Sequence, residues 1–314
     1  MRPMKCESLM EKDGTLRLSE VLFPKLASPK LDGNRCYIED GQAKSSSGKP
    51  IRNVFIRETL SQPEFDGLDG ELIVGASTAK DVRRKTSSGV GTFQGEPDFT
   101  FHVFDYWKWS KEPFRERLTA ARGMAQKQQH IRFVPHSLIT CIDDLLKYEE
   151  SMLALGYEGV ILRDANAPYK QGRSTLKQNW ALKLKRFLDG EAVVVGIEEM
   201  YHNENEALTD DHGYTKRSSH QENKRAAGVL GALVVKDLKT GVEFRVGTGF
   251  DAVLRASLWV VGRGLIGQVI TYKHFPIGAK DKPNLPSFVA FRDLEDMDAF
   301  ANVQQALVSA ENPF

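Results

Sequence analysis

Short β-prone apolar runs, separated by glycine- and serine-rich turns, alternate with longer helical patterns in the first part of the chain. Strands are predicted at residues 34–39, 71–74, 99–107 and 160–163. Helices are predicted at residues 51–60, 112–129 and 142–155. Residues 180–187 alternate apolar and cationic side chains, so a strand there would carry Lys183 and Lys185 on one face.

The pattern changes at Asp189 and Gly190, the predicted domain boundary. Beyond this point a single helical stretch at 251–261 accompanies five strand candidates, at residues 191–197, 228–236, 242–246, 268–272 and 287–291. Short strands in this number are typical of a small oligonucleotide-binding (OB) barrel. The sequence therefore predicts an α+β chain, with antiparallel sheets and helices at 1–188 and an all-β OB-fold barrel at 189–314.

The composition is that of a soluble globular protein, and no apolar run reaches the length that spans a bilayer, so we expect no membrane partner. The first residues lack the apolar core of a secretory signal, and the three cysteines have no paired spacing. A cytoplasmic location is therefore predicted. The net charge of +1 conceals an uneven distribution, because residues 163–186 hold seven Lys or Arg and a single acid. A nucleic-acid partner is therefore not excluded.

Lys30 is the first candidate for chemistry. It lies in residues 28–35, Ser-Pro-Lys-Leu-Asp-Gly-Asn-Arg, just before an Asp-Gly pair that favours a turn. Taken alone, this segment fits a surface hairpin as well as a nucleophilic amine. Carboxylates, cations and an aromatic follow along the chain: Asp32, Glu71 and Glu158; Arg35, Arg173, Lys183 and Lys185; and Phe104.

These residue types are what an attacking lysine needs. At neutral pH fewer than about one free lysine in a thousand is uncharged, because its pKa is near ~10.4. Burial and neighbouring cations such as Lys183 and Lys185 lower that pKa, and the same cations can neutralise a phosphate. The carboxylates would hold a divalent metal or a ribose hydroxyl, and Phe104 would stack on a base.

Each residue also has a structural interpretation. Glu71 and Glu158 fit solvated positions at the ends of strands. Lys183 and Lys185 fit the solvent-exposed face of an edge strand, and Phe104 fits a position in the core. The polar loop at 201–227, which carries Lys216 and Arg217, fits a nucleic-acid-contacting arm and a solvated insertion equally well. The three histidines of that loop have no cysteine partners, which argues against zinc.

Taken in order, the motifs closely resemble those of covalent nucleotidyltransferases, specifically the small ATP-dependent DNA ligases of viruses and bacteriophages. The motifs are Lys30-Leu-Asp-Gly-Asn-Arg35, Leu68-Asp-Gly-Glu71, Phe104-Asp105, Glu158-Gly-Val-Ile161 and Leu182-Lys-Leu-Lys185. Residues 169–175 and 49–53 also resemble that group, so the resemblance covers nearly the whole chain.

The resemblance implies a nucleotidyltransferase (adenylation) domain followed by an OB-fold domain, sealing nicks in duplex DNA in three steps. Lys30 attacks the α-phosphate of ATP, AMP passes to the 5′-phosphate at the nick, and the 3′-hydroxyl displaces it. By motif matching, the nucleotide would contact Ser28, Leu31, Arg35, Glu71, Phe104, Arg173, Lys183 and Lys185. Asp32, Glu71 and Glu158 would hold Mg²⁺, for which Mn²⁺ can substitute.

The resemblance further implies a monomer in the cytoplasm of a bacterial host, if the protein is phage-encoded. DNA contacts are predicted at Ser45, Lys49, Arg52, Arg173, Lys216 and Arg217. Two positions depart from the family pattern. Relatives carry Ser-Arg where this chain has Ser45-Ser46, and Arg-x-Pro-x-Phe where it has Asn284-Leu-Pro-Ser-Phe288.

Three alternatives remain at this point. An mRNA-capping guanylyltransferase shares the lysine motif and the barrel but uses GTP, and an RNA ligase belongs to the same superfamily. In a non-catalytic DNA-binding module, the cations would only contact phosphates.

Overall fold

The computed structural model describes residues 1–11, 14–126, 128–205, 207–209, 215–217, 224–275 and 282–292. The described residues form two compact units, which divide between Arg186 and Phe187. This division lies two residues before the boundary predicted from the sequence. In the described part of the chain, no helix is both long and apolar enough to cross a membrane.

In its described residues, the first unit contains twelve strands and four α-helices. The elements are β1 (Met4–Lys5), β2 (Glu7–Ser8), β3 (Lys25–Pro29), β4 (Asn34–Glu39), β5 (Gln42–Ser45), α1 (Val54–Leu60), β6 (Leu68–Val74), α2 (Val82–Gly91), β7 (Phe99–Tyr106), α3 (Phe114–Ala125), β8 (Ile131–Phe133), β9 (Ser137–Ile139), α4 (Ile142–Ala154), β10 (Val160–Arg163), β11 (Gly172–Arg173) and β12 (Ala181–Leu184).

Two five-stranded sheets organise this unit. One has the order β5-β4-β6-β7-β8 and the other β2-β12-β10-β3-β9, while β1 and β11 form a short parallel pair. In β7, buried and partly exposed residues alternate without interruption, as its sequence pattern predicts. Apolar side chains of β4, β6 and β7 pack with α1 and α3 into one core, and β3, β10 and β12 pack with α4 into another.

The second unit contains β13 (Leu188–Asn203), β14 (Ala207–Thr209), β15 (Thr215–Arg217), β16 (Lys224–Asp237), β17 (Glu243–Val246), α5 (Ala252–Val261), β18 (Val269–Phe275) and β19 (Asn284–Phe291). Its main sheet has the order β17-β16-β13-β18-β19, with every neighbouring pair antiparallel. Helix α5 begins after Asp251, whose carboxylate accepts from the Leu254 N–H at 2.7 Å and caps the helix.

The five predicted strands and the helix of this unit are confirmed, but closure of the barrel differs from the expectation. Within the described ranges, the connection near the edge strands β17 and β19 is a single parallel bridge from Thr248 to Ser287, without a continuous ladder. Strand β17 has only four residues, which is too short to pair along the whole of β19. The domain is therefore an OB-like curved sheet with a helix.

Candidate active site

Lys30 directly follows β3 and lines a cavity of about 260 Å³ in the first unit. Its N–H donates to the Gly159 carbonyl at 2.8 Å, and the Glu158 N–H donates to the Lys30 carbonyl at 3.2 Å. Strands β3 and β10 are antiparallel neighbours, so these two bonds extend their ladder to the residue that carries the amine. The backbone of Lys30 is therefore held by a sheet rather than by a free loop.

Two glycines permit a close approach of backbones beside Lys30. At Gly33, a Cβ atom would lie 2.2 Å from the Leu72 carbonyl oxygen. At Gly159, which has a φ of +148°, a Cβ atom would lie 2.2 Å from the Leu184 carbonyl oxygen. Any side chain at either position would push the Lys30 segment away from β6 or β12.

We expect Gly33→Ala to lower both stability and the rate of nucleotide transfer to Lys30. The added methyl group meets the main-chain carbonyl oxygen of Leu72, which cannot easily move aside, and such overpacking costs about 1–3 kcal/mol. Chemical denaturation and single-turnover labelling of the protein by ATP would measure the two effects. Gly123→Ala is the matched control, because a Cβ there has open space in helix α3 and should be neutral or stabilising. Equal behaviour of the two variants would contradict this account.

One carboxylate bridges two lysines beside the cavity, which Lys30 lines but Glu158 and Lys185 do not. The Lys30 Nζ donates to Oε2 of Glu158, and the Lys185 Nζ donates to Oε1 of the same side chain. All three side chains are largely buried, with exposed fractions of 22%, 13% and 15% for Lys30, Glu158 and Lys185. The sequence motifs that contain them are far apart in the chain, and the ladder β3-β10-β12 brings them together.

The electrostatic environment favours an amine that loses its proton readily. Burial lowers the pKa of Lys30, although the carboxylates of Glu71 and Asp32 oppose this shift. Burial, together with the charge of Lys30, lowers the pKa of Lys185 to about 7. Burial and Lys30 also lower the pKa of Lys183, which lines the cavity. These are the directions that a nucleophilic lysine requires.

Arg35 is held by a buried carboxylate on the neighbouring strand. Its Nε and Nη2 donate to the two oxygens of Asp69 at 2.7 and 2.5 Å, a two-bond arrangement that fixes the guanidinium plane. The Tyr169 hydroxyl donates to the same carboxylate at 2.6 Å. The Cζ atom of Arg35 lies 4.6 Å from the ring centroid of Phe104 and covers one face of that ring.

Glu71 also lines the cavity, but not at the mouth of a strand as the sequence suggested. It lies in the middle of β6, paired with Arg35 on β4 and His102 on β7. The strand begins earlier than predicted, because the Asp69-Gly70 pair continues the ladder instead of forming a turn. Burial raises the pKa of Glu71 to about 7, even though Arg35 and Lys30 act in the opposite direction.

The cavity brings together most of the residues that the motifs singled out. Ser28, Lys30, Leu31, Arg35, Glu71, Phe104, Arg173 and Lys183 line it. Asp32 does not line it and lies 4.0 Å from Arg83 of helix α2. Arg173 pairs with Lys5 across β1 and β11, and its Nη1 donates to the Cys6 carbonyl at 3.0 Å.

The remaining predicted DNA contacts lie on separate elements. Ser45 ends β5, and its N–H donates to the Lys49 carbonyl at 2.8 Å in the turn that precedes Arg52. Lys216 and Arg217 belong to β15 of the second unit, paired with Leu208 and Ala207. Ser46, at one of the two positions that depart from the expected ligase pattern, lines the cavity.

A buried charge network lies beside the cavity. Asp105 accepts from the Arg117 Nε at 2.8 Å and from the Arg163 Nη2 at 2.6 Å, and all three side chains are almost fully buried. Burial raises the pKa of Asp105, but Arg163 and Arg117 outweigh this effect and hold it below its ordinary value. The Phe104-Asp105 motif therefore supplies one cavity residue and one structural anchor.

Four contributors were not identified from the sequence. Arg83 donates to the Gly33 carbonyl and to the Asn34 side chain, Tyr169 supports Asp69, and His136 and Arg163 line the cavity. Tyr169 stands in a segment that resembles the ligases, which is a signal for it. His136 stands in no motif, and only the fold brings it to the cavity.

Comparison with known proteins agrees with this geometry. Residues 3–185 match the family model described as the ATP dependent DNA ligase domain, and residues 223–292 match that of the DNA ligase OB-like domain. A DNA ligase of Haemophilus influenzae is 27% identical over 265 residues, which cover 83% of this chain and 84% of that protein.

Two solved structures share the architecture. The Chlorella virus DNA ligase-adenylate is 31% identical, with 94% of this chain and 99% of that chain covered and a TM-score of 0.51. The structure of a Lig E DNA ligase matches with a TM-score of 0.64, and the match covers 93% of this chain and 99% of that chain. At 20% identity, this similarity shows the fold alone. The first family model spans more than half of the chain, and this protein belongs to the ATP-dependent DNA ligase family.

Proposed function

We propose that this protein seals nicks in duplex DNA that carry a 5′-phosphate and a 3′-hydroxyl, and that it carries AMP covalently on Lys30. The observation that supports this most strongly is the Lys30 amine itself. It is largely buried, held by the sheet, and placed at a cavity together with Lys183, Arg35, Glu71 and Phe104. Residues 1–188 would form the adenylation domain and residues 189–314 the OB-fold domain.

In the first step, Lys30 attacks the α-phosphorus of ATP. The amine attacks as neutral –NH2, after one proton has passed to solvent. A bond from Nζ to phosphorus forms and the bond from phosphorus to the pyrophosphate oxygen breaks. A second proton leaves the nitrogen to solvent, so the lysyl-AMP bond keeps one N–H. Lys183 and Lys185 supply positive charge where the pentavalent phosphate becomes more negative, which is the main source of rate enhancement in phosphoryl transfer. Glu158 keeps Lys30 and Lys185 together until the nucleotide arrives.

The other lining residues would hold the nucleoside. Arg35, fixed by Asp69, and Glu71 would hydrogen-bond the ribose hydroxyls, while Ser28, Leu31 and Phe104 would surround the base. Arg173 would contact AMP or the phosphate at the nick. Because Arg35 covers one face of Phe104, stacking of adenine on that face would require the guanidinium to shift toward the ribose.

Mg²⁺ is proposed as the metal, with Mn²⁺ as a substitute. Asp32, Glu71 and Glu158 supply the hard oxygen donors that Mg²⁺ prefers, and phosphate oxygens of ATP would complete its shell. Within the described ranges, these three carboxylates do not gather into one cluster that could hold a metal ion by itself. When bound, the ion neutralises phosphate charge.

The later steps need nicked DNA. AMP passes from Lys30 to the 5′-phosphate, and the 3′-hydroxyl then displaces it. Side chains proposed to contact the DNA are Ser45, Lys49, Arg52, Arg173, Lys216 and Arg217. We further propose that the protein acts as a monomer. A reducing cytoplasm is proposed as its location, and the three free cysteines are compatible with that compartment.

A sealing assay tests this proposal. The protein is incubated with Mg²⁺, ATP and a duplex in which the nick separates two DNA segments of one strand. Parallel reactions use RNA segments at the nick, or GTP in place of ATP. We expect sealed DNA only with ATP and a 5′-phosphate. Efficient sealing of the RNA nick alone would indicate an RNA ligase, and labelling by GTP alone would indicate a guanylyltransferase.

A further inference from the structure

His136 is a cavity residue to which no role in nick sealing has been assigned. It follows β8 and immediately precedes β9, so it lies in the connection between the two five-stranded sheets of the first unit. Its ring packs edge-on against Phe114, with 5.5 Å between ring centroids, and one edge of the side chain lines the cavity.

The hydrogen bonding of His136 defines which ring nitrogen is available. Its Nδ1 lies 2.9 Å from the Val134 carbonyl oxygen, which can only accept, so Nδ1 carries the proton. Burial lowers the pKa of the ring to about 4, so the imidazole is neutral at physiological pH. Nε2 therefore presents a lone pair, and no hydrogen bond to Nε2 occurs within the described ranges.

The sheet register places the backbone of His136 close to that of the nucleophile. Ser137, the next residue after His136, pairs with Ala27 of β3 in an antiparallel ladder, so continuing that register sets His136 beside Ser28, two residues before Lys30. Two residues of strand span about 7 Å, and neighbouring strands lie about 5 Å apart. Both His136 and Lys30 line the same cavity. A nucleotide with its α-phosphate at Lys30 would thus extend along this cavity and bring its base toward His136.

The neighbouring wall is compatible with a base edge. Arg163 also lines the cavity, and its Cζ lies 4.0 Å from the centroid of the same Phe114 ring that contacts His136. Ile161 of β10 and Phe104 of β7 supply apolar surface on the same lining. An apolar wall beside a neutral imidazole acceptor is suited to a purine that presents a hydrogen-bond donor.

We propose that Nε2 of His136 accepts a hydrogen bond from the 6-amino group of adenine, and that His136 therefore helps to select ATP over 6-oxopurine nucleotides. Guanine would place its O6 lone pairs against the lone pair of Nε2, an unpaired and repulsive contact. This inference rests on the proposed function, because it assumes that Lys30 receives a nucleotide from ATP.

The test compares three nucleotides, ATP, purine riboside triphosphate and GTP, in four proteins. ATP and purine riboside triphosphate differ only at position 6, where the second has hydrogen in place of the amino group. The rate of lysyl-nucleotide formation at low nucleotide concentration is followed by intact protein mass in the wild type, His136→Leu, His136→Gln and His130→Leu. His130 is the matched control, because its Nδ1 also faces a main-chain carbonyl, that of Phe99 at 3.3 Å, but it does not line the cavity.

We expect the wild type and His130→Leu to prefer ATP by about fivefold to tenfold, the size of one neutral hydrogen bond. In His136→Leu the ratio should fall to about one, and use of GTP relative to ATP should rise. His136→Gln, which keeps an acceptor, should retain part of the ratio.

Two results would overturn the inference. One is that His136→Leu keeps the wild-type ratio of the rates with ATP and purine riboside triphosphate. The other is a ratio near one in the wild type, a result that does not depend on whether any variant folds. If the wild type forms no lysyl-nucleotide with ATP, the proposed function itself fails. A lysyl-adenylate that forms without discrimination at position 6 contradicts only the role of His136.

Discussion

Lys30→Ala is expected to abolish transfer of label from ATP to the protein, and with it the sealing of nicked DNA. We expect no other group to replace the amine, because Lys183 lies on β12, Lys185 directly follows that strand, and both are proposed to neutralise phosphate instead. Loss of a covalent nucleophile typically lowers the rate by about four to six orders of magnitude. Lys30→Arg should behave in the same way, since a guanidinium stays protonated and cannot attack.

Two controls separate chemistry from folding in this experiment. Lys177→Ala removes an exposed lysine outside the cavity and should leave labelling unchanged. Lys30→Ala should still seal a nick whose 5′-phosphate already carries AMP, because the last step does not use the amine. Labelled Lys30→Ala protein would show that the nucleophile lies elsewhere.

Asp105→Asn is expected to destabilise the first unit by about 3–5 kcal/mol, the cost of leaving buried charges without their partner. Arg117 and Arg163 both donate to this carboxylate, and both are almost fully buried. An amide keeps the shape of the side chain but supplies no negative charge. Denaturant unfolding, followed by fluorescence, measures the change in the free energy of unfolding.

The carboxylate of Asp105 also makes the free energy of unfolding depend on pH in the acid range. Because Arg163 and Arg117 hold the pKa of Asp105 below its unfolded value, its contribution is complete above the unfolded pKa of about 3.9. This contribution is lost as pH falls through the lower folded pKa, and Asp105→Asn should lack that part of the acid transition. Glu116→Gln, at an exposed pair 3.3 Å from Arg115, is the control and should change stability by at most about 1 kcal/mol. Equal effects of the two substitutions would contradict the anchoring role.

The elements that the sequence predicted are those whose own side chains carry the signal. Strand β7 alternates buried and partly exposed residues along its length, and α4 has both an apolar stripe and a terminating glycine. Strand β3 was missed because its five residues begin with Lys25 and end with Pro29. Lys25 is buried only because Asp164 and the Asn179 carbonyl accept from its amine at 3.0 and 2.8 Å, and both lie far away in the chain.

Helix α2 was also missed, for a different reason. Its sequence resembles a basic polar loop, because Lys80 precedes it, Arg84 lies within it, and serine and glycine follow toward its end. Only Val82, Thr86 and Val90 are buried, one residue per turn, so the apolar face is too narrow to dominate the pattern. Because α2 was not predicted, a residue of the site was missed as well. This helix carries Arg83, whose side chain donates to the Gly33 carbonyl.

The site residues that could be predicted are those whose type and order along the chain match a requirement of the proposed chemistry. Lys30, Glu71, Phe104 and Lys183 came from that argument, and the structure brings them to one cavity. The sequence could not show which residues from distant segments of the chain contact these side chains or complete the cavity. Tyr169 reaches Asp69 because separate strands meet in space. His136 lines the cavity because of the connection between two sheets.

The most direct measurement of the central claim is the fate of AMP in the absence of free ATP. The protein is labelled with ATP carrying radioactive α-phosphate, freed of nucleotide, and mixed with nicked duplex DNA and Mg²⁺. We predict that label leaves Lys30 as free AMP while an equal amount of DNA is sealed in a single turnover. Label that remains on the protein while the nick stays open would contradict the account.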